Sequence, residues 1–304
     1  MTTVPPEDEY VHNDYPRDED KAWKENWYFN FIDRENNAWG INHISLERHK
    51  QQGRFMAAHV VDGEILMHVD FIPLTDDFRD ITDGKLRIEF VEPHKEFRLT
   101  FNGPNHSVDL TYLARFDVFD YGAKGDETLK GDTSSMSINH YEQGLTVKGT
   151  LTKDGNTRPI SCLGHRDHSW GYRDETNVAG WNWIAVQFPN RTINLSQVRV
   201  AGMDPMYGGF VSEAGGNSRI KQVRIKSTER NESGIPVSSV FEAIDESGRV
   251  WTLTSQRFSG LVLPLSEKGK DVVVYENFSD YTLAETGEQG VGIDEYLDNP
   301  SEAS

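Results

Sequence analysis

The chain has almost no cysteine: Cys162 stands alone among 304 residues. An internal disulfide is therefore excluded, and the flanking Ile160 and Leu163 point to a buried, inert thiol rather than a nucleophile. Long hydrophobic runs are absent, which excludes an apolar membrane-spanning helix. The start, Met1-Thr2-Thr3-Val4-Pro5-Pro6, has neither a basic cluster nor an apolar stretch, so no secretory signal is read there. A reducing, cytoplasmic location is the resulting expectation. Basic residues are few, 31 against 49 acidic ones, for a net charge of −18. That charge repels phosphate backbones and anionic lipid surfaces, so neither nucleic acid nor membrane is an expected partner. Nucleotide fingerprints are missing, and Gly208-Gly209 and Gly215-Gly216 read as turns or bulges. No segment offers a long amphipathic helix.

What the sequence does have is aromatic residues, 11% of the total, each able to bury a large area. From Trp27 onward, short alternating segments are separated by turn residues every eight to twelve positions or so, the spacing of sandwiches and barrels. Asp62-Gly63 and Asp154-Gly155 are strong hairpin signals. Residues 1 to about 20 are acidic and proline-bearing and read as a disordered tail. Asp18 to Asn26 reads as a short helix. The expectation is an all-β protein in two consecutive halves, 21–157 and 158–304, each closed into an antiparallel barrel so that no sheet edge is left open. A barrel lined by aromatics is a natural pocket for a small molecule.

The densest chemistry lies in Gly164-His165-Arg166-Asp167-His168-Ser169-Trp170-Gly171-Tyr172-Arg173-Asp174. It lacks the period-two alternation of a half-buried strand and reads as a charged loop between two strands. Either it is a loop closed by its own salt bridges, or it is a functional site where two domains meet.

Asp167-His168-Ser169-Trp170-Gly171 resembles the Asp-His-x-Trp-Gly signature of the carotenoid hydratase (hydroxyneurosporene synthase) and AttH-like superfamily. The fuller string resembles a bacterial branch of it that carries an Arg-Asp-His-Ser-Trp-Gly core. Trp27-Tyr28-Phe29-Asn30-Phe31, Trp39-Gly40-Ile41-Asn42-His43, Gly180-Trp181-Asn182-Trp183, Tyr275-Glu276-Asn277 and Gly290 to Tyr296 extend the resemblance over roughly residues 25 to 297. It implies two lipocalin-like barrels and a hydrophobic ligand of terpenoid, steroid or polyketide-like skeleton. The relatives include hydratases and cyclases that need no cofactor, and proteins without catalysis. In the carotenoid hydratases a later strand carries a Tyr-x-Asp pair; here that stretch is Asn194-Leu195-Ser196-Gln197, without an acid, so any acid must come from elsewhere.

Hydration of an alkene, or its reverse, passes through a carbocation-like state and needs a protonated acid in a dry pocket beside π faces. Asp167 is the expected acid and His168 its orienting partner. Trp170, Trp181, Trp183, Tyr172, His165 and Arg173 are the expected substrate contacts, with Trp181 and Trp183 on one strand face. Asp167 could instead form a buried ion pair with Arg166 or Arg173. His165, His168 and Asp167 could in principle hold zinc or iron, but they crowd one extended segment, so neither metal nor cofactor is expected. His140 and Glu142 share one strand face and could form a second acid–base pair, but a solvent-facing strand surface is the expectation, and His59 and His68 carry no expected chemistry. The functional expectation is a cofactor-independent hydratase or dehydratase, isomerase or cyclase; the alternative is a carrier that binds the same class of ligand. Homo-oligomerisation is left open.

Overall fold

A computed structural model describes residues 4–15, 22–122, 136–173, 178–200, 202–264 and 272–299, with the side chains of 136–138 and 173 outside the description. The described residues are strands almost throughout, with two short 3-10 turns, Pro6–Glu9 and Arg48–Lys50. No helix among them is long and apolar enough to cross a membrane. They divide into two compact units, the first reaching Arg173 and the second beginning beyond it. The expected division at 157/158 would cut a strand.

The first unit contains β1 (Trp23–Asp33), β2 (Ala38–Glu47), β3 (Gln52–Val61), β4 (Glu64–Pro73), β5 (Leu86–Glu92), β6 (Glu96–Asn102), β7 (His106–Ala114), β8 (Phe119–Asp120), β9 (Met136–Lys153) and β10 (Asn156–Arg173). They form one curled sheet in the order β4-β3-β2-β1-β10-β9-β7-β6-β5, with β8 pairing β9. Asp62-Gly63 and Asp154-Gly155 each hold both residues at positive φ, as a two-residue hairpin of matching twist requires. Alternation places Trp27, Phe29 and Phe31 of β1 in an apolar core with Phe55, Phe97 and Leu99.

The second unit is a closed antiparallel barrel of β11 (Gly180–Phe188), β12 (Arg191–Arg199), β13 (Met206–Glu213), β14 (Gly216–Arg230), β15 (Pro236–Asp245), β16 (Val250–Pro264), β17 (Val273–Leu283) and β18 (Glu288–Asp298). Pairing of β11 with β18 closes it. Ile184, Val186 and Phe188 point into a core that also holds Leu195, Phe241 and Trp251. The all-β, two-barrel architecture is thus present, the second barrel closed by hydrogen bonds and the first a half-barrel whose end strands β4 and β5 are not paired to each other.

Two local expectations are corrected. Of the helix expected over Asp18 to Asn26, residues 18–21 lie outside the described residues, and Trp23 to Asn26 is the start of β1, with Glu25 facing the interior. Residues 164–173 are not a loop but the second half of β10, paired along their length with β1 and β9. Both β1 and this part of β10 are covered on both faces. A strand covered twice has no solvent face to carry the polar half of an alternation, and here both faces carry polar groups that satisfy one another. Gly164 allows the close approach this needs: a Cβ there would stand 2.3 Å from the carbonyl oxygen of Asn30.

Candidate functional site

β10 sorts the motif by parity. Arg166 lies opposite Phe29 and Gln143, and His168 opposite Trp27 and Tyr141, so these side chains face the interior of the first unit. His165, opposite Asn30, and Asp167, opposite Tyr28 and Glu142, face the other way.

The inner face carries a continuous buried polar line. Arg166 donates from both terminal nitrogens to Glu9, each at 2.8 Å. The Tyr141 hydroxyl is 2.9 Å from Glu9 Oε2 and 2.9 Å from His168 Nδ1. His168 Nε2 is 3.1 Å from Glu25 Oε1, which is in turn 2.7 Å from His12 Nδ1. Burial would raise the Glu9 carboxyl, but the charge and hydrogen bonds of Arg166 outweigh it and hold it below its ordinary value. Glu25 is held low by its hydrogen bonds to His12 and His168, again against burial. Burial pushes the His168 ring down towards its neutral form. The single hydroxyl proton of Tyr141 then has two acceptors, Glu9 and His168. Stacked rings enclose the line: Trp27 on His168 at 4.6 Å and Trp170 on His12 at 4.4 Å between centroids.

On the outer face, Glu142 is fully buried, with His165 Nε2 at 2.7 Å and His140 Nε2 at 3.2 Å. Burial opposes its charge, but the hydrogen bonds to His140 and His165 prevail and take its pKa down to about 2. His140 Nε2 is also 3.9 Å from Asp167 Oδ2, and the Tyr121 ring stacks on His140 at 4.6 Å. The Asp167 side chain keeps about one-fifth of its exposure, 20%, while Glu142 beside it has none.

Several sequence expectations are therefore redrawn. Asp167 and His168 cannot act as a pair, because consecutive strand residues point to opposite faces. Arg166 is not the partner of Asp167, since Glu9 takes it. His165 and His168 diverge for the same reason, so the His165–Asp167–His168 metal set does not assemble. Trp170 lies on the inner face, away from Asp167, and Tyr172 packs edge-on against Trp23 at 5.5 Å. The Arg173 side chain lies outside the described residues. Trp181 and Trp183 do share a face, but it is the outer face of the second unit's barrel, opposite in parity to Ile184. The Trp181 indole donates to the Glu295 carboxylate. His140 and Glu142 are not a solvent-facing surface. His59 is buried against His106 at 2.9 Å, and burial pulls it down to about 3.

Glu9, His12, Glu25 and Tyr141 escaped the sequence reading because 13 to 157 positions separate partners along the line. Residues 4–15, read as a disordered tail, supply two of them. The available signal was indirect: a buried arginine obliges a buried acid somewhere in the chain. Asp294 also escaped. It lies inside the second unit's barrel, where Ser279 donates to its carboxyl and Tyr281, Tyr296 and Asn277 surround it. Burial pushes its pKa up to about 6 against the pull of those neighbours.

Comparison with known proteins places this geometry. The family described as Domain of unknown function (DUF7064) matches residues 5–300. An AttH-like protein from Nitrosomonas europaea shares the fold with a TM-score of 0.70 at 16% identity, over 98% of this chain and 96% of that one. CghA, in a structure with Sch210972, gives 0.66 at 11% identity, over 91% and 88%. Kievitone hydratase from Nectria haematococca gives 0.57 at 13%, over 90% and 88%. At these identities the likeness establishes the fold, in agreement with the resemblance to the AttH-like superfamily. No curated protein matches the sequence.

Proposed function

The chain belongs to the DUF7064 family, and from that premise we propose that it is an enzyme that moves protons on a hydrophobic small molecule: a hydratase or dehydratase, isomerase or cyclase. One observation carries the reading. Asp167, partly exposed, stands 3.9 Å from His140, which rests on the fully buried Glu142. Both carboxylates face the same ring nitrogen, Nε2, so one proton there lies between a reacting carboxyl at the open end and a fixed negative charge at the closed end. The buried charge of Glu142 favours a proton on His140 Nε2; that nitrogen passes its proton to Asp167 or takes it back, and Asp167 meets the substrate. No bound group is needed for these steps.

The fold shared with kievitone hydratase and with CghA is consistent with this chemistry. A terpenoid, steroid or polyketide-like skeleton is the proposed class of substrate. A carrier of the same ligands is the alternative, and the test separates the two. Lipophilic compounds co-purified from the host are identified by mass spectrometry and incubated with the protein in D₂O and in ¹⁸O-water. Label entering the compound with the parent protein, and lost with Asp167→Asn at unchanged binding, supports the enzyme. Binding without label at any time identifies a carrier.

A further inference from the structure

Three donor atoms meet beneath Trp170 on the inner face. His12 Nδ1 is 2.7 Å and His168 Nε2 3.1 Å from the same oxygen of Glu25, and all three donors lie within 4.8 Å of one another. At metal–ligand bonds of about 2.1 Å, tetrahedral donors stand about 3.4 Å apart, so the two hydrogen-bonded spacings need open by less than about 1 Å when an ion replaces the shared protons. Each donor is also oriented from behind, as metal ligands are. His168 Nδ1 meets the Tyr141 hydroxyl at 2.9 Å, and that hydroxyl meets Glu9. His12 Nε2 stands 3.5 Å from Asp8. The second oxygen of Glu25 accepts the backbone N–H of His12 at 3.1 Å. Glu25 and His168 are fully buried, while the His12 side chain keeps 17% of its exposure and gives the entry path.

We propose that His12, Glu25 and His168 bind one divalent transition metal, of the zinc, cobalt or iron(II) class. Two imidazoles and one carboxylate select these over calcium or magnesium, which prefer oxygen. The site lies on the face of β10 opposite Asp167 and is independent of the proton relay there. Its position gives its role: His12 belongs to the 4–15 segment, Glu25 to β1 and His168 to β10, so one ion ties that segment to two strands.

The experiment titrates cobalt(II) into protein stripped with a chelator, following the visible d–d absorption and tryptophan fluorescence. One equivalent is expected, with quenching because Trp170 stacks on His12. His12→Ala is expected to weaken binding at least tenfold. His12→Gln is read instead if the alanine variant loses its strand signature in circular dichroism. A second His/Asp group, His68, Asp70 and Asp83, is the competing surface cluster. Undiminished binding in His68→Ala supports the assignment. No binding by the parent at micromolar cobalt, binding unchanged by both His12 variants, or loss in His68→Ala would overturn it.

Discussion

Glu9 and Arg166, 157 positions apart, form a doubly hydrogen-bonded ion pair with both contacts at 2.8 Å and neither side chain exposed. The guanidinium also lies over the Phe97 ring at 4.1 Å and its Nε donates to Gln143 at 3.0 Å, so the pair is closed off from water. Removing one partner strands the other charge. Glu9→Gln is therefore expected to cost about 3–5 kcal/mol in urea unfolding, whereas Glu9→Leu combined with Arg166→Met should recover much of that loss. Equal damage by the single and double changes would contradict this account.

Asp294 predicts a pH dependence. Its folded pKa, about 6, lies above its ordinary value of 3.8. A raised carboxyl binds its proton more tightly in the folded state, so its contribution to stability is full below about pH 4 and is lost as pH rises through 6. The span is worth roughly 3 kcal/mol. Asp294→Asn cannot titrate, so its stability relative to the parent should improve from pH 4 to pH 8. A relative stability that is flat with pH, in chemical denaturation at both values, would remove the buried acid from the account.

The outer cluster predicts a contrast between two carboxylates. Asp167 is partly exposed and Arg166 is taken by Glu9, so Asp167→Asn should change stability by no more than about 1 kcal/mol. Glu142 is fully buried between two histidines, and Glu142→Gln should cost about 2–4 kcal/mol. Melting curves of the two variants side by side provide the check, and the reverse order would place the structural charge at Asp167.

Gly164→Ala tests the β1–β10 approach. The added methyl would sit 2.3 Å from the Asn30 carbonyl oxygen and 2.7 Å from Val147 Cγ2. Backbone on one side cannot yield as a side chain does, so a loss of about 2–3 kcal/mol or more is expected. A variant with parental denaturation midpoint would show that the strands part without cost.

Much of the architecture was legible from its turns and from those strands that are half-buried. β6 (Glu96–Asn102) and β7 (His106–Ala114) alternate between buried and more exposed positions, the period that reads as a strand. β10 was illegible for the converse reason: Arg166 and His168 face one buried side and His165 the other, and a pattern of charges on both sides has no period. The site was legible only as a neighbourhood. Sequence distance placed His168 beside Asp167, and the two-residue repeat of a strand separates them. The partners that each does have, Glu25 and His140, come from strands whose adjacency is fixed by topology and leaves no trace in spacing.

The place of β10 in the sheet has a consequence for how the chain is made. β1 pairs on one side with β2, which follows it directly, and on the other with β10, the last strand of its unit. On a ribosome, β1 therefore waits with a bare edge while more than a hundred further residues are synthesised, and Glu9 waits with it for a countercharge. Contacts of such long sequence separation form slowly. Until Arg166 emerges, the nascent chain exposes both an unpaired strand and an unmatched acid, the interval in which a chaperone would be of most use to it.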